Sequence, residues 1–168
     1  IGERIVADLE AEGVDCSAAI KDPKICSPFN IAAYAGEGRR RIGGFLLPNS
    51  LAQLTDQESE RLAAQPHAGD TLLVEVGEIP VSTCLRIAKV CASNGARIVL
   101  DVDLDPIAQC GSSPKEFAAL AHLSHLIMPN REAMTTLYPG LPSRELTLEM
   151  AREFGRSVVV SAGEEGAF

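Results

Sequence analysis

A chain of 168 residues with 46% hydrophobic content is long enough for one domain with a real core and too short for two comfortable ones. Its formal net charge of −8, with no basic run longer than Arg39-Arg40-Arg41, makes nucleic acid and anionic membrane poor partners. A small phosphate ligand remains compatible with that charge, because one local site can be electropositive in an acidic protein.

Residues 2–12 place Ile5, Val6 and Leu9 at helical spacing and end at Gly13, which predicts a helix with a glycine stop. Between 28 and 47, two short apolar runs flank Gly36-Glu37-Gly38, the pattern of a β-hairpin. A short helix is expected over 56–64. From residue 69 the pattern becomes regular. Strands are expected at 71–76, 97–102, 125–128 and 157–161, and helices at 81–94, 115–123, 132–138 and 144–154. Near-continuous apolar strands alternating with helices predict an α/β fold, a doubly wound, mostly parallel sheet with helices on both faces. The whole of 1–168 is read as one domain, incomplete at both ends. There is no initiator Met, and the chain stops just after a strand and its glycine turn.

The five cysteines include no CxxC pair, and Cys84 and Cys91 fall on one apolar helix face, so they read as reduced core thiols. No signal-peptide pattern or long apolar run is present, and a cytoplasmic location is expected. His122 and His125 lie at a helix–strand junction with no third ligand nearby, which argues against a metal site.

Open α/β sheets bind ligands beyond the carboxyl ends of their strands. Four polar segments follow the predicted strands. In the first, Glu75 and Glu78 precede Ile79-Pro80, as hydroxyl acceptors or as turn residues. The second, Asp101-Val-Asp103-Leu-Asp105-Pro106, puts alternate carboxylates on one side, suited to sugar hydroxyls or a cation, or to a solvated strand end and an N-cap before a turn. The third, Pro129-Asn130-Arg131-Glu132, offers an amide and a carboxylate at a helix start. These can serve a hydrated Mg²⁺ and nucleotide phosphates, or simply cap the helix and favour its dipole. In the fourth, Ser161-Ala-Gly163-Glu-Glu-Gly166 brings a hydroxyl and two glycines to a strand exit. Backbone N–H groups could approach a phosphate closely there, or the segment could be an ordinary turn. No dinucleotide fingerprint, Walker A loop or GxSxG elbow occurs.

In order and wording these segments resemble the ribokinase/PfkB carbohydrate kinases. The likeness starts with the opening helix ending Glu12-Gly-Val-Asp-Cys-Ser17 and the Gly36-Glu37-Gly38-Arg39 turn. It continues through Gly77-Glu-Ile-Pro80, Asp101–Pro106, Met128-Pro-Asn-Arg-Glu132 and Val159–Ala167. The aspartate-rich segment is most similar to the branch acting on fructose, 2-keto-3-deoxygluconate or related acids. The resemblance implies ATP-dependent phosphorylation of a sugar or sugar-acid hydroxyl, with ATP and Mg²⁺ as cofactors and a homodimer as one compatible assembly. It puts the 28–47 hairpin in a sugar-covering lid. It places Asn130 near the phosphates and the Mg²⁺ water shell, with Ser161, Gly163 and Gly166 lining the nucleotide. It sets Glu132 on the metal side, and Glu78, Asp101 and Asp103 near the sugar.

Two departures stand out. The family's acidic residue usually falls three after the Asn, where this chain has Ala133, with Glu132 one place early. The Gly-Ala-Gly-Asp segment that carries the family's base is expected beyond Phe168, so no catalytic base is expected in this chain. The alternative is a non-catalytic, kinase-derived module that binds sugar or nucleotide.

Overall fold

A computed structural model describes residues 2–21, 29–35, 40–47, 54–77 and 79–168, and side chains outside 22–53. The chain divides into two compact units, Ile1–Leu51 and Ala52–Phe168.

In the first unit, α1 (Gly2–Ala11) leaves Ile5 and Leu9 exposed along its apolar stripe. β1 (Phe29–Ala35) and β2 (Arg40–Leu47) form the expected antiparallel pair. Ala33 pairs with Gly43 but Tyr34 with Arg41, so Ile42 is the extra residue of a bulge that bends the ribbon. The Gly36–Gly38 turn lies outside the described residues.

The second unit begins with α2 (Asp56–Ala63), whose start is a reciprocal cap. Thr55 Oγ1 accepts from the Glu58 N–H at 3.2 Å, and Glu58 Oε2 accepts from the Thr55 N–H at 2.8 Å. β3 (Thr71–Val76) leads to α3 (Val81–Ser93), which ends at Gly95. Gly95 has φ +85°, a conformation side chains rarely adopt, and a Cβ there would also crowd the Ala68 Cβ at 3.1 Å. β4 (Arg97–Val102) precedes α4 (Pro114–Leu123), which opens on a second reciprocal cap between Ser113 and Glu116. β5 (Leu126–Pro129), a 3₁₀ turn (Glu132–Met134), α5 (Ser143–Phe154), β6 (Ser157–Val158) and a last 3₁₀ turn (Gly163–Glu165) complete the unit.

The four strands lie in the order β3-β4-β5-β6, every neighbour parallel, as the alternating strand–helix pattern predicts. Val74, Leu100 and Ile127 stand in register and are buried. α3 packs on β3 and β4, α5 on β6, and α2, α3, α4 and α5 neighbour one another in succession. Leu73 on β3 and Val159, just after β6, stay 62% and 41% exposed. The expected helix over 132–138 is reduced to the 3₁₀ turn, and Pro139-Gly140 ends the segment before a longer helix can build.

Cys84 and Cys91 are buried, as their spacing predicts. Burial and the neighbouring Cys110 push the Cys84 thiol up to about 12, which removes it as a nucleophile near neutrality. His125 Nδ1 accepts the Ile98 N–H at 3.1 Å, a structural use of the ring. Among the described residues no helix is long and apolar enough to cross a membrane.

Candidate functional site

Parallel strands bring their carboxyl ends to one edge, and the chain turns sharply there. After β4 the Asp103 and Leu104 N–H groups both bond the Val76 carbonyl, at 3.1 and 3.3 Å, folding the aspartate loop back over the end of β3. After β5 the Asn130 N–H continues the ladder onto Val102 O at 3.1 Å. After β6 the Ser161 N–H bonds Pro129 O at 3.0 Å and the Arg131 N–H bonds Ser161 O at 2.9 Å, so Asn130 and Ser161 stand side by side. Asp103, Asn130 and Ser161 therefore cross the ends of three adjacent strands.

Asn130 is fully engaged. Its Oδ1 accepts the Ala133 N–H at 2.7 Å, and its Nδ2 donates to Asp103 O and Asp103 Oδ1 at 2.8 and 3.1 Å. One side chain thus caps the 3₁₀ turn and orients the aspartate loop. Asp101 lies two residues back, half-buried and in register with Glu75 and Met128. Glu132 is solvent-exposed in the first turn, with Oε1 at 3.8 Å from Arg131 Nη2. Ala133 is only 2% exposed, so an acid at that place would be a buried carboxylate. Glu78 lies outside the described residues.

The last segment closes as a tight hairpin. Val160 and Phe168 exchange two hydrogen bonds at 3.0 Å, and the Ala162 N–H bonds Gly166 O at 2.9 Å. Gly163 and Gly166 hold φ +55° and +94° at its tip, conformations that a side chain rarely adopts. Both glycines are exposed, leaving the backbone approachable.

Asp105 takes the cap offered for the aspartate segment, and three further participants, Arg131, Glu165 and Ser143, had no assigned role in the sequence. Asp105, 4% exposed, accepts the Ile107 and Ala108 N–H groups on Oδ1 at 2.9 and 2.8 Å, and the Thr136 N–H on Oδ2 at 3.2 Å. Burial acts to raise its pKa, but the Thr136 hydroxyl and these amides outweigh it and hold the carboxyl below its ordinary range. Arg131 Nη1 pairs with Glu165 Oε1 at 2.5 Å, and Glu165 Oε2 accepts from Ser143 Oγ at 3.3 Å. The Asp-Pro step was a signal for Asp105. The Arg131–Glu165 pair spans 34 residues and had none.

Among the described residues no group of three His, Cys, Asp or Glu side chains is placed to hold a metal. Mg²⁺ held through waters and substrate phosphates needs only one or two carboxylates, and exposed Glu132 fits such a role.

The fold is that of known sugar kinases. Ribokinase from Giardia lamblia superposes with a TM-score of 0.68 at 15% identity, over 99% of this chain and 50% of that one. Fructokinase from Vibrio cholerae O395 gives 0.67 at 21%, over 99% and 58%. Aminoimidazole riboside kinase from Salmonella enterica, solved with aminoimidazole riboside and an ATP analog, gives 0.66 at 15%, over 99% and 57%. The chain thus spans about half the length of the solved structures it matches. No curated protein matches the sequence. The model of the pfkB carbohydrate kinases matches all of residues 1–168, and with the parallel sheet and its polar rim already in view, the chain belongs to the pfkB family of carbohydrate kinases.

Proposed function

We propose that this chain forms the nucleotide half, and part of the sugar side, of an enzyme that phosphorylates a sugar or sugar-acid hydroxyl with ATP. The observation that carries this reading is the row Asp103, Asn130 and Ser161 across three adjacent strand ends, with an exposed two-glycine turn beside it. Gly163 and Gly166 leave room for phosphate oxygens to approach the turn closely, where the Gly163 and Glu164 N–H groups suit them, since the Ser161, Ala162, Glu165 and Gly166 N–H groups bond within the fold. Asn130 orients the aspartate loop, so Asp103 and Asp101, with Glu78, suit sugar hydroxyls. Mg²⁺ would neutralise charge on the transferred phosphoryl, and Glu132 would meet its water shell.

In the transfer, a carboxylate base takes the hydroxyl proton as that oxygen bonds the γ-phosphorus. The bond from that phosphorus to the β–γ bridging oxygen breaks, and ADP leaves. The base is read as lying beyond Phe168, the 28–47 hairpin as part of a sugar lid, and the setting as cytoplasmic. Residues 1–168 alone should then release no sugar-dependent ADP, since general-base assistance is worth about 10²–10⁴-fold.

The test uses the full-length protein with ATP, Mg²⁺ and a panel of fructose, 2-keto-3-deoxygluconate and ribose, following ADP release. Asn130→Ala should lower kcat at least about tenfold, or ~1.4 kcal/mol of transition-state stabilisation, with little change in sugar KM. Unchanged turnover together with a melting point several degrees lower would make Asn130 only a cap. A second reading, a non-catalytic binding module, is favoured by buried Ala133 at the usual acidic position. Sugar-dependent ADP release excludes it.

A further inference from the structure

The polar segments 77–80, 103–106, 130–133 and 161–167 carry six acidic residues and one basic residue, Arg131. Its backbone and side chain act on the same loop. The Arg131 N–H bonds Ser161 O at 2.9 Å, where the loop begins, and its guanidinium pairs with Glu165 at 2.5 Å, where the 3₁₀ turn ends. Glu165 is anchored a second time through Ser143, a buried residue opening α5.

We propose that Arg131, acting through Glu165, is a positioning residue that holds the 161–166 turn in its nucleotide-binding shape. The inference rests on the reading of this turn as the nucleotide loop. Two glycines at positive φ give the turn many alternative conformations, and nothing in the glycines themselves selects one. A clamp across the turn removes that freedom before ligand arrives, so binding does not bear the ordering cost.

The pair is 38% and 53% exposed at its side chains, in a setting where ion pairs add little to global stability. Its loss should therefore appear in nucleotide affinity and leave the melting temperature almost unmoved. A purely structural role would do the reverse.

The experiment is calorimetric titration of the full-length protein with ATP and Mg²⁺, using Arg131→Ala, Glu165→Ala, the double variant and the swap Arg131→Glu with Glu165→Arg. Each single change should weaken ATP binding about tenfold. The double variant should be no weaker than either single one, because the two residues act as a unit. The swap should recover most of the loss, with sugar KM steady within about twofold and Tm within about 2 °C. Unchanged ATP affinity in the single variants overturns the clamp. So do losses that multiply in the double variant, or a fall in Tm that tracks the loss in affinity. If the wild type binds no ATP, the nucleotide reading and the clamp fall together. If it binds ATP but releases no ADP with any sugar, the kinase reading falls and the clamp is still decided by the titrations.

Discussion

Phe117→Ala should lower unfolding free energy by about 3–5 kcal/mol, the range for emptying an aromatic site in a packed core. Phe117 is 1% exposed on α4, and its ring meets Phe154 edge-on with centroids 6.2 Å apart. Phe154 in turn stacks edge-on against His122, at 5.4 Å, so the end of α5 rests on α4 through aromatic contacts. Truncation removes both the burial and the edge-to-face contact, and the helices flanking the gap are fixed by the sheet beneath. Domains of this kind are stable by only about 5–15 kcal/mol, so the change consumes a large share. Urea titration should show the midpoint falling with the slope unchanged. Phe117→Leu, closer in volume, should cost about 1.5 kcal/mol or less. An alanine variant within about 1 kcal/mol of wild type would mean this seam is not packed as described.

Asp105 should give the second large effect. Asp105→Ala leaves the Ile107, Ala108 and Thr136 N–H groups without their acceptor, a loss of about 2–4 kcal/mol for a buried cap with a cross-link. Asp105→Asn should cost less, because an amide oxygen can still cap 107–108. Its NH₂ would then face the Thr136 N–H, donor against donor.

The pH dependence follows from the depressed carboxyl. Because the folded pKa lies below the unfolded one, the stabilisation is complete above the ordinary aspartate value of about 3.9. It is lost as pH falls through the lower folded value. Wild type should therefore lose stability on acidification through this range, and Asp105→Asn should lose less. Equal acid slopes for the two proteins would remove Asp105 as a source of the acid sensitivity.

Order of elements was legible because it depends on local periodicity. The β3, α3 and β4 boundaries agree with the expected ones to within a residue, since apolar runs and Gly95 mark them. The caps at Thr55–Glu58 and Ser113–Glu116 were equally local, written as Thr/Ser-x-x-Glu, and were overlooked. Regular β6 is only Ser157–Val158, although the ladder continues as single bridges to Ser161, because the next segment turns back on itself through Phe168.

Of the candidate site, the sequence by itself determined the chemistry available: which strand ends carry Asp103, Asn130, Ser161 and the two glycines, and that a parallel sheet would gather them on one edge. Only the tertiary structure decided how those groups are used. Asn130 turned out to be both cap and anchor of the Asp103 loop, and Asp105 the cap before a turn that the segment allowed, buried rather than solvated. The Arg131–Glu165–Ser143 contacts joined residues that lie far apart in the chain. The reason is physical. Backbone periodicity is imposed by neighbours along the chain, whereas a side chain's partners, burial and pKa depend on groups that meet only when the sheet is complete.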